Sequence, residues 1–174
     1  MITINKFLLF FKRLNNKERE ELLSLINTTK DGEFKYHETG KPIADILKTF
    51  MKKNSLRSIM DLGCGYGQFL SYFDEYITFG IEKEQKLIDL ALFCRIKKIF
   101  KGDILEPLKY KADLIYFYEP FSDRNKHIEF IKNILESTPK QQYIAYLSAN
   151  KHPIEYEGLE IIEKHNHLII YKKI

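Results

Sequence analysis

The feature that most constrains the fold is a regular alternation, between residues 56 and 147, of short apolar segments with longer segments of helical periodicity. Strands that alternate with helices pair in parallel and connect through right-handed crossovers. The segment 112–118 is almost continuously apolar, which is typical of a strand buried on both faces. The pattern predicts an α/β fold whose parallel strands lie at 56–62, 76–82, 96–100, 112–118 and 142–147.

The C-terminal residues follow a different pattern. Segments 159–163 and 168–171 are apolar and are separated only by residues 164–167, which predicts an antiparallel hairpin. The sequence therefore predicts a seven-stranded, mostly parallel sheet that ends in a C-terminal antiparallel hairpin, with helices on both faces.

A helical N-terminal extension precedes the sheet. Apolar residues recur at helical spacing over 4–14, a second helix is expected after Asn15, and a third is expected from Pro42. One domain is predicted over 1–174, with residues 1–40 as a helical extension and 42–174 as the α/β core. Helix 4–14 is interpreted either as part of the core or as a docking face.

A glycine-rich loop joins the first strand to a helix predicted over 68–74. Residues 61–67 read Asp-Leu-Gly-Cys-Gly-Tyr-Gly. Glycines at such a turn allow a sharp reversal and bring bare backbone close to a ligand. The third glycine, Gly67, comes one residue earlier than the dinucleotide fingerprint requires, which argues against a nicotinamide cofactor. Cys64 is interpreted as a packing residue.

This loop resembles the first motif of the class I, seven-stranded S-adenosylmethionine-dependent methyltransferases. The resemblance extends over about residues 42–174 and implies a Rossmann-like core there, with the extension 1–40 as a lid over the cofactor. It also implies that Gly63, Gly65 and Gly67 approach S-adenosyl-L-methionine. Asp61 is similar to the acid that orients this loop and the amino group of the methionine moiety.

Two further acidic positions match the same family. Glu82 ends the second predicted strand and resembles the residue that accepts hydrogen bonds from both ribose hydroxyls. Asp103 follows the third strand and is similar to the residue that contacts the adenine amino group, with the Ile104 N–H facing a ring nitrogen. The alternative is that Asp103 is a turn residue and that Glu82 caps the following helix.

The methyl acceptor is expected at the end of strand four, because open parallel sheets bind ligands at the carboxyl ends of their strands. That segment reads Tyr118-Glu119-Pro120-Phe121 and resembles the N/D-P-P-Y/F motif of amino methyltransferases, except that Tyr118 replaces the polar residue. Tyr118 and Glu119 are the candidate catalytic residues. The alternative is that Tyr118 packs and Glu119 is solvated. His37 is either a base or a loop residue.

The charge and composition of the chain limit the classes of partner that we expect. The chain has a formal net charge of +4, and its lysines are spread along the sequence without a dense basic stripe. This disfavours a structured nucleic acid and leaves a small-molecule or protein acceptor. No apolar run approaches the length of a membrane span, no signal peptide is recognised, and a cytoplasmic location is expected.

No metal site is predicted. The two cysteines form no ligand pattern, and the pair His165 and His167 is interpreted as solvated turn residues.

These observations favour an S-adenosylmethionine-dependent methyltransferase with an unidentified small-molecule or protein side-chain acceptor. Two alternatives stay open. One is a non-catalytic cofactor-binding module that acts as a sensor or partner scaffold. The other is a protein-lysine methyltransferase, since residues 61–68, 80–83 and 102–103 are similar to that family while residues 118–120 are not.

Overall fold

A seven-stranded sheet runs through the centre of the molecule. The computed structural model describes residues 4–27, 39–96, 98–121, 123–148 and 156–174. The strands are β1 (Ser58–Leu62), β2 (Ile77–Glu82), β3 (Ile99–Lys101), β4 (Leu114–Tyr118), β5 (Tyr143–Leu147), β6 (Leu159–His165) and β7 (Leu168–Lys173). The helices are α1 (Ile4–Arg13), α2 (Asn16–Asn27), α3 (Lys41–Lys53), α4 (Gln85–Phe93) and α5 (Arg124–Ser137).

The strand order is β3-β2-β1-β4-β5-β7-β6. Strands β1 to β5 pair in parallel, and β7 is antiparallel to both β5 and β6. The order reverses between β1 and β4, so the carboxyl ends of these two strands flank the point where doubly wound sheets bind ligands. The predicted fold class, including the antiparallel hairpin, is confirmed.

Helices cover both faces of the sheet. On one face, α3 packs against apolar residues of β1, β4, β5 and β7, α4 contacts β2 and β3, and Phe50 and Met51 of α3 are fully buried. On the other face, α5 buries Phe130, Ile131 and Ile134 against alternate residues of the same strands. Helix α5 begins where Asp123 caps it, since the Asp123 carboxylate accepts a hydrogen bond from the Lys126 N–H at 2.9 Å.

Helices α1 and α2 contact α4. The Phe10 and Phe93 rings lie 5.4 Å apart, the Arg13 guanidinium sits 4.8 Å from the Phe93 centroid, and Glu21 pairs with Lys86. Among the helices of the described residues, none combines the length and apolar composition needed to cross a bilayer.

The prediction of a helix over residues 68–74 is wrong. Only a 3₁₀ turn, Phe69–Tyr72, follows the glycine loop. The Ser71 hydroxyl donates to the Gln68 carbonyl at 2.6 Å, which competes with helical hydrogen bonding. Phe69, Leu70 and Phe73 are all buried, so the short turn still packs its apolar side chains into the core.

Several strand boundaries also differ from the prediction; β1 begins at Ser58 and β4 at Leu114, where 56 and 112 were expected. Ile96 precedes β3, because its N–H bonds the Ala91 carbonyl at 2.9 Å and so extends the end of α4. The hairpin connection is shorter than 164–167: His165 pairs with Leu168, and only two residues form the turn. Asn166 adopts a φ of 45° there, as two-residue hairpin turns require.

Candidate cofactor and acceptor site

The glycine loop is fastened to the end of β2. The N–H groups of Gly63 and Cys64 both donate to the Ile81 carbonyl, at 2.9 and 3.1 Å, and the Gly67 N–H donates to the Cys64 carbonyl at 2.9 Å. These bonds hold the loop across the carboxyl edge of the sheet, where the sequence predicted it.

Two of the glycines are required for different reasons. Gly63 and Gly67 have φ values of 77° and 74°, in the left-handed region that favours glycine. A Cβ on Gly67 would lie 2.7 Å from the Ile99 side chain and 2.9 Å from that of Ile96, whereas a Cβ on Gly63 would meet nothing within 4 Å. Gly67 therefore allows internal packing, and Gly63 borders open space that a ligand could fill.

Glu82 ties the loop to the sheet. Its carboxylate is buried, with one oxygen accepting from the Gly65 N–H at 2.8 Å and the other from the N–H groups of Lys83 and Glu84 at 2.9 Å. A carboxylate can accept about four hydrogen bonds. Glu82 thus retains capacity for a further donor while it also fixes the loop, a role that the sequence did not indicate.

Asp61 lies at the end of β1 and is only 5% exposed. Burial raises the pKa of Asp61 to about 8, and the charge of Glu82 adds to the rise. Burial also raises the pKa of Glu82, against the opposing effect of its three backbone hydrogen bonds. Two buried carboxyl groups at one site favour a positively charged ligand, because a nearby cation would lower the cost of their ionisation.

Cys64 packs beneath the loop. A Cβ on Gly80 of β2 would lie 2.5 Å from the Cys64 sulfur, so the thiol occupies the space above that glycine. Burial, with the charges of Asp61 and Glu82, raises the pKa of this thiol well above its usual value. The observed packing fits the structural role predicted for Cys64, since a thiol of raised pKa is a poor nucleophile.

Asp103 lies beside Glu82. Lys101 pairs with Glu82 in the sheet, and the Gly102 N–H donates to the Glu82 carbonyl at 3.0 Å. The exposed Asp103 carboxylate accepts from the Leu105 N–H at 2.9 Å and so forms a turn. Ile104 is half-buried against the core on the α5 face. Asp103 therefore stabilises a turn, and its carboxylate is exposed to solvent next to Glu82.

Tyr118 and Glu119 face opposite sides of the sheet. Tyr118 is half-buried against the core on the α3 face, and burial followed by the Glu119 charge raises its pKa. Glu119 is buried, accepts from the Ser148 hydroxyl at 3.4 Å, and acts electrostatically on His127 on the α5 face. The alternative of a solvated Glu119 is wrong.

Several polar residues near this edge were missed by the sequence. Ser148 follows β5 directly, so its position at a strand end could have revealed it. His127 and Tyr146 have ring centroids 5.6 Å apart. Burial lowers the pKa of His127 and raises that of Tyr146 to about 12. No local sequence signal brings these residues together, because His127 lies in α5 and Tyr146 in β5.

A second missed pair anchors the N-terminal region. The hydroxyl groups of Thr39 and Tyr116 lie 2.7 Å apart and are buried. This bond holds the chain just before α3 against β4. His37 and the rest of 28–38 lie outside the described residues, so the lid and the role of His37 stay predictions.

The C-terminal histidines have protein partners. His165 lies in β6, where its ring contacts the Glu163 carboxylate at 3.1 Å, and His167 contacts the Ser148 carbonyl at 3.0 Å. His165 is thus not a turn residue. Within the described ranges, no group of three or more His, Cys, Asp or Glu residues could hold a metal ion.

Comparison with solved structures identifies the fold. A proposed RNA methyltransferase from Pyrococcus horikoshii matches 92% of this chain and 100% of its own, with a TM-score of 0.62 and 14% identity. The plantazolicin methyltransferase BpumL, solved with SAH, matches 62% of this chain with a TM-score of 0.52 and 24% identity. TrmN from Thermus thermophilus matches 75% with a TM-score of 0.54 and 12% identity. The chain has the fold of the class I methyltransferases.

In this methyltransferase fold, the glycine loop, Glu82 and Asp103 lie at the carboxyl ends of three adjacent strands, β1, β2 and β3. The chain spans 46% of the length of BpumL and 49% of that of TrmN. No protein-family model and no curated protein matches the sequence.

Proposed function

We propose that this chain binds S-adenosyl-L-methionine and transfers its methyl group to an acceptor. The observation that carries the proposal is the pair of buried carboxyl groups, Asp61 and Glu82, beside the glycine loop at the reversal of strand order. The charge that acts on Asp61 is that of another acid, Glu82. Such a site opposes a pyrophosphate and suits a ligand that carries a sulfonium and an ammonium group.

Each side chain has a proposed contact. Glu82 accepts from the ribose hydroxyls with the capacity that its three backbone bonds leave. Asp103 and the Ile104 N–H bind the adenine edge, and Asp61 binds the amino group of the methionine moiety. Gly63 and Gly65 bring the loop backbone against the ligand. When bound, S-adenosylmethionine would supply an electrophilic methyl group.

The acceptor region is proposed at the ends of β4 and β5. Tyr118 closes the side that faces α3, and Glu119 is positioned to hold or accept a proton from an amine or hydroxyl acceptor. A small molecule or a protein side chain, lysine included, is compatible with this pairing of groups. SAH appears in the BpumL structure as that protein's ligand, and this supports the choice of cofactor here.

The proposal is tested by calorimetric titration of the purified protein with S-adenosylmethionine and with S-adenosylhomocysteine. Binding is expected for both. Glu82→Ala should weaken it by about 1.5–3 kcal/mol, the scale of lost charge-assisted hydrogen bonds. Glu84→Ala is the matched control, because it removes a neighbouring acid that makes no side-chain cap on α4.

Folded protein that is free of carried-over ligand and shows no binding heat would overturn the proposal. Equal affinities of the Glu82→Ala and Glu84→Ala proteins would remove the role of Glu82. Incubation with radiolabelled cofactor and cell extract then asks which size fraction receives the label. Tight binding without any transfer to protein or small molecules would favour a non-catalytic module.

A further inference from the structure

Three aromatic rings form a row at the β3 edge of the sheet, on the face that α5 covers elsewhere. The Phe79 and Phe100 rings are stacked at 6.4 Å with an interplanar angle of 26°. Tyr110 lies over Phe100 at 4.1 Å and 17°. Tyr110 is the outermost ring and is 38% exposed. These three residues are called the aromatic platform.

The platform is open because helix α4 packs against β2 and β3 on the opposite face, and no helix of the described residues covers the α5 face at this end of the sheet. The connection 102–113 between β3 and β4 is described throughout and contains no helix. Loop residues Ile104, Leu105 and Leu108 pack against the core in its place. Within the part of the chain that the structure describes, the rings of the outermost strands are therefore covered on this face by a loop that carries Tyr110 at its surface.

Helix α5 holds this loop in position. The Leu108 N–H donates to the Ser137 hydroxyl at 3.2 Å, and the Asn133 side-chain amide donates to the Leu105 carbonyl. Tyr110 follows two residues after Leu108. A partner that stacks on Tyr110 would thus meet a ring already held in place, and little conformational entropy would be lost on binding.

Lysines surround the platform. The Lys98 ammonium lies 5.7 Å from the Phe79 ring centroid. Lys109 and Lys111 are exposed and flank Tyr110 in the chain. Glu106 lies 3.7 Å from Lys109 and offsets one of these charges. The platform therefore has a net positive border, although these lysines look dispersed in the sequence.

We propose that the aromatic platform and its lysines bind single-stranded RNA. Surfaces that bind single strands combine aromatic rings, on which bases stack, with cations that follow the phosphate backbone. RNA presents unpaired bases in loops and at ends, where an exposed ring such as Tyr110 can reach them. This activity is separate from cofactor binding, since its residues lie outside the Asp61–Glu82 site.

The test measures fluorescence anisotropy of a labelled oligouridine of about 12 nucleotides at about 50 mM salt, where phosphate contacts are least screened. Tyr110→Leu keeps an apolar cover and removes the aromatic face, so affinity should fall about tenfold, within the range of single-base stacking. Tyr110→Phe should bind as wild type. Thermal melting of each variant shows whether it is folded.

Lys98→Gln should weaken binding and lower the dependence of log affinity on log salt by about 0.7, the share of one phosphate contact on a single strand. Lys172→Gln is the matched control, because the Lys172 ammonium also lies 5.7 Å from a ring, that of Tyr143, on a different part of the sheet. Equal effects of the two lysine changes would contradict the proposal.

The proposal is also overturned if the oligonucleotide shows no binding at a wild-type protein concentration of about 100 µM. The affinity would then be weaker than that of ordinary non-specific nucleic-acid binding. If polyglutamate displaces the oligouridine equally well from wild type and from Tyr110→Leu, the surface binds acidic polymers in general, and the proposal is contradicted.

Discussion

The two halves of the carboxyl edge are built differently. At the ends of β1 and β2, backbone groups hold the site in place: the N–H groups of Gly63 and Cys64 donate to the Ile81 carbonyl, and the Gly65 N–H donates to the Glu82 carboxylate. At the ends of β4 and β5, side chains from separate elements meet, as in the contact between Glu119 and Ser148. A backbone site is encoded by a local motif, whereas a side-chain site depends on the whole fold. The first half is accordingly the easier to predict.

The largest expected effect is on stability, and it distinguishes a glycine of the first half that allows internal packing, Gly67, from one that borders the proposed ligand space, Gly63. Gly67→Ala combines a left-handed φ with Cβ contacts under 3 Å to Ile96 and Ile99, so it should lower the unfolding free energy by about 3 kcal/mol. Gly63→Ala has a similar φ and no such contact, and should cost only about 1 kcal/mol. Urea denaturation of both variants measures the difference.

Cofactor titration of the Gly63→Ala protein extends this comparison. The added methyl group would occupy the open space beside the loop, so binding should be lost while the fold is kept. Retained binding together with a small stability loss would show that the ligand does not approach Gly63.

The next effect concerns pH. The pKa of Asp61 is about 8 in the folded protein, and the unfolded chain would give about 4. Between these values the folded state holds a proton that the unfolded state releases, so stability should fall as pH rises. From pH 5.5 to 8.5 the loss attributed to this group is about 2–3 kcal/mol, and it should vanish in Asp61→Asn.

Urea denaturation across that range, in wild type and in Asp61→Asn, measures the pH effect. Identical pH slopes for the two proteins would show that Asp61 is not held protonated. The same variant should bind S-adenosylmethionine more weakly, which separates its stability from its function.

A smaller effect tests the hydrogen bond between Thr39 and Tyr116. Tyr116→Phe removes one partner of a buried pair and should destabilise the fold by about 1 kcal/mol. Tyr118→Phe, two residues along the same strand and half-buried, should change stability by less than about 0.5 kcal/mol. Thermal melting compares the two. A larger loss in Tyr118→Phe would mean that its hydroxyl group has a structural role.

The smallest effect tests whether Glu119 and His127, both in the acceptor half, interact electrostatically. The charge of Glu119 raises the pKa of His127 against the lowering effect of burial. Glu119→Gln removes that charge, so the pKa of His127 should fall further. An NMR titration of the histidine ring protons follows this, with His165 as the control because its described partner is Glu163. An unchanged pKa of His127 would show that the charge of Glu119 does not act on this ring.

The contrast between the halves also explains how far the sequence could lead. Strand positions, the glycine spacing and the acids at strand ends follow from local patterns, and the fold they predicted is confirmed. The 68–74 segment misled because its apolar residues suited a helix, while the Ser71 hydroxyl bonds the Gln68 carbonyl and the segment forms only a 3₁₀ turn. The contact between His127 and Tyr146 and the aromatic platform could not be predicted, because they depend on how α5 packs on the sheet and on a loop that α5 holds.

One measurement tests the central claim, that two buried acids at the glycine loop select a cationic cofactor. Calorimetry of S-adenosylmethionine binding at pH 7, in buffers with different ionisation enthalpies, reports the protons released. Asp61 should lose its proton when the ligand ammonium binds, so a release of up to about one proton is predicted. In Asp61→Asn this release should disappear. Binding of wild type without proton release, or no binding by folded protein, would contradict the account.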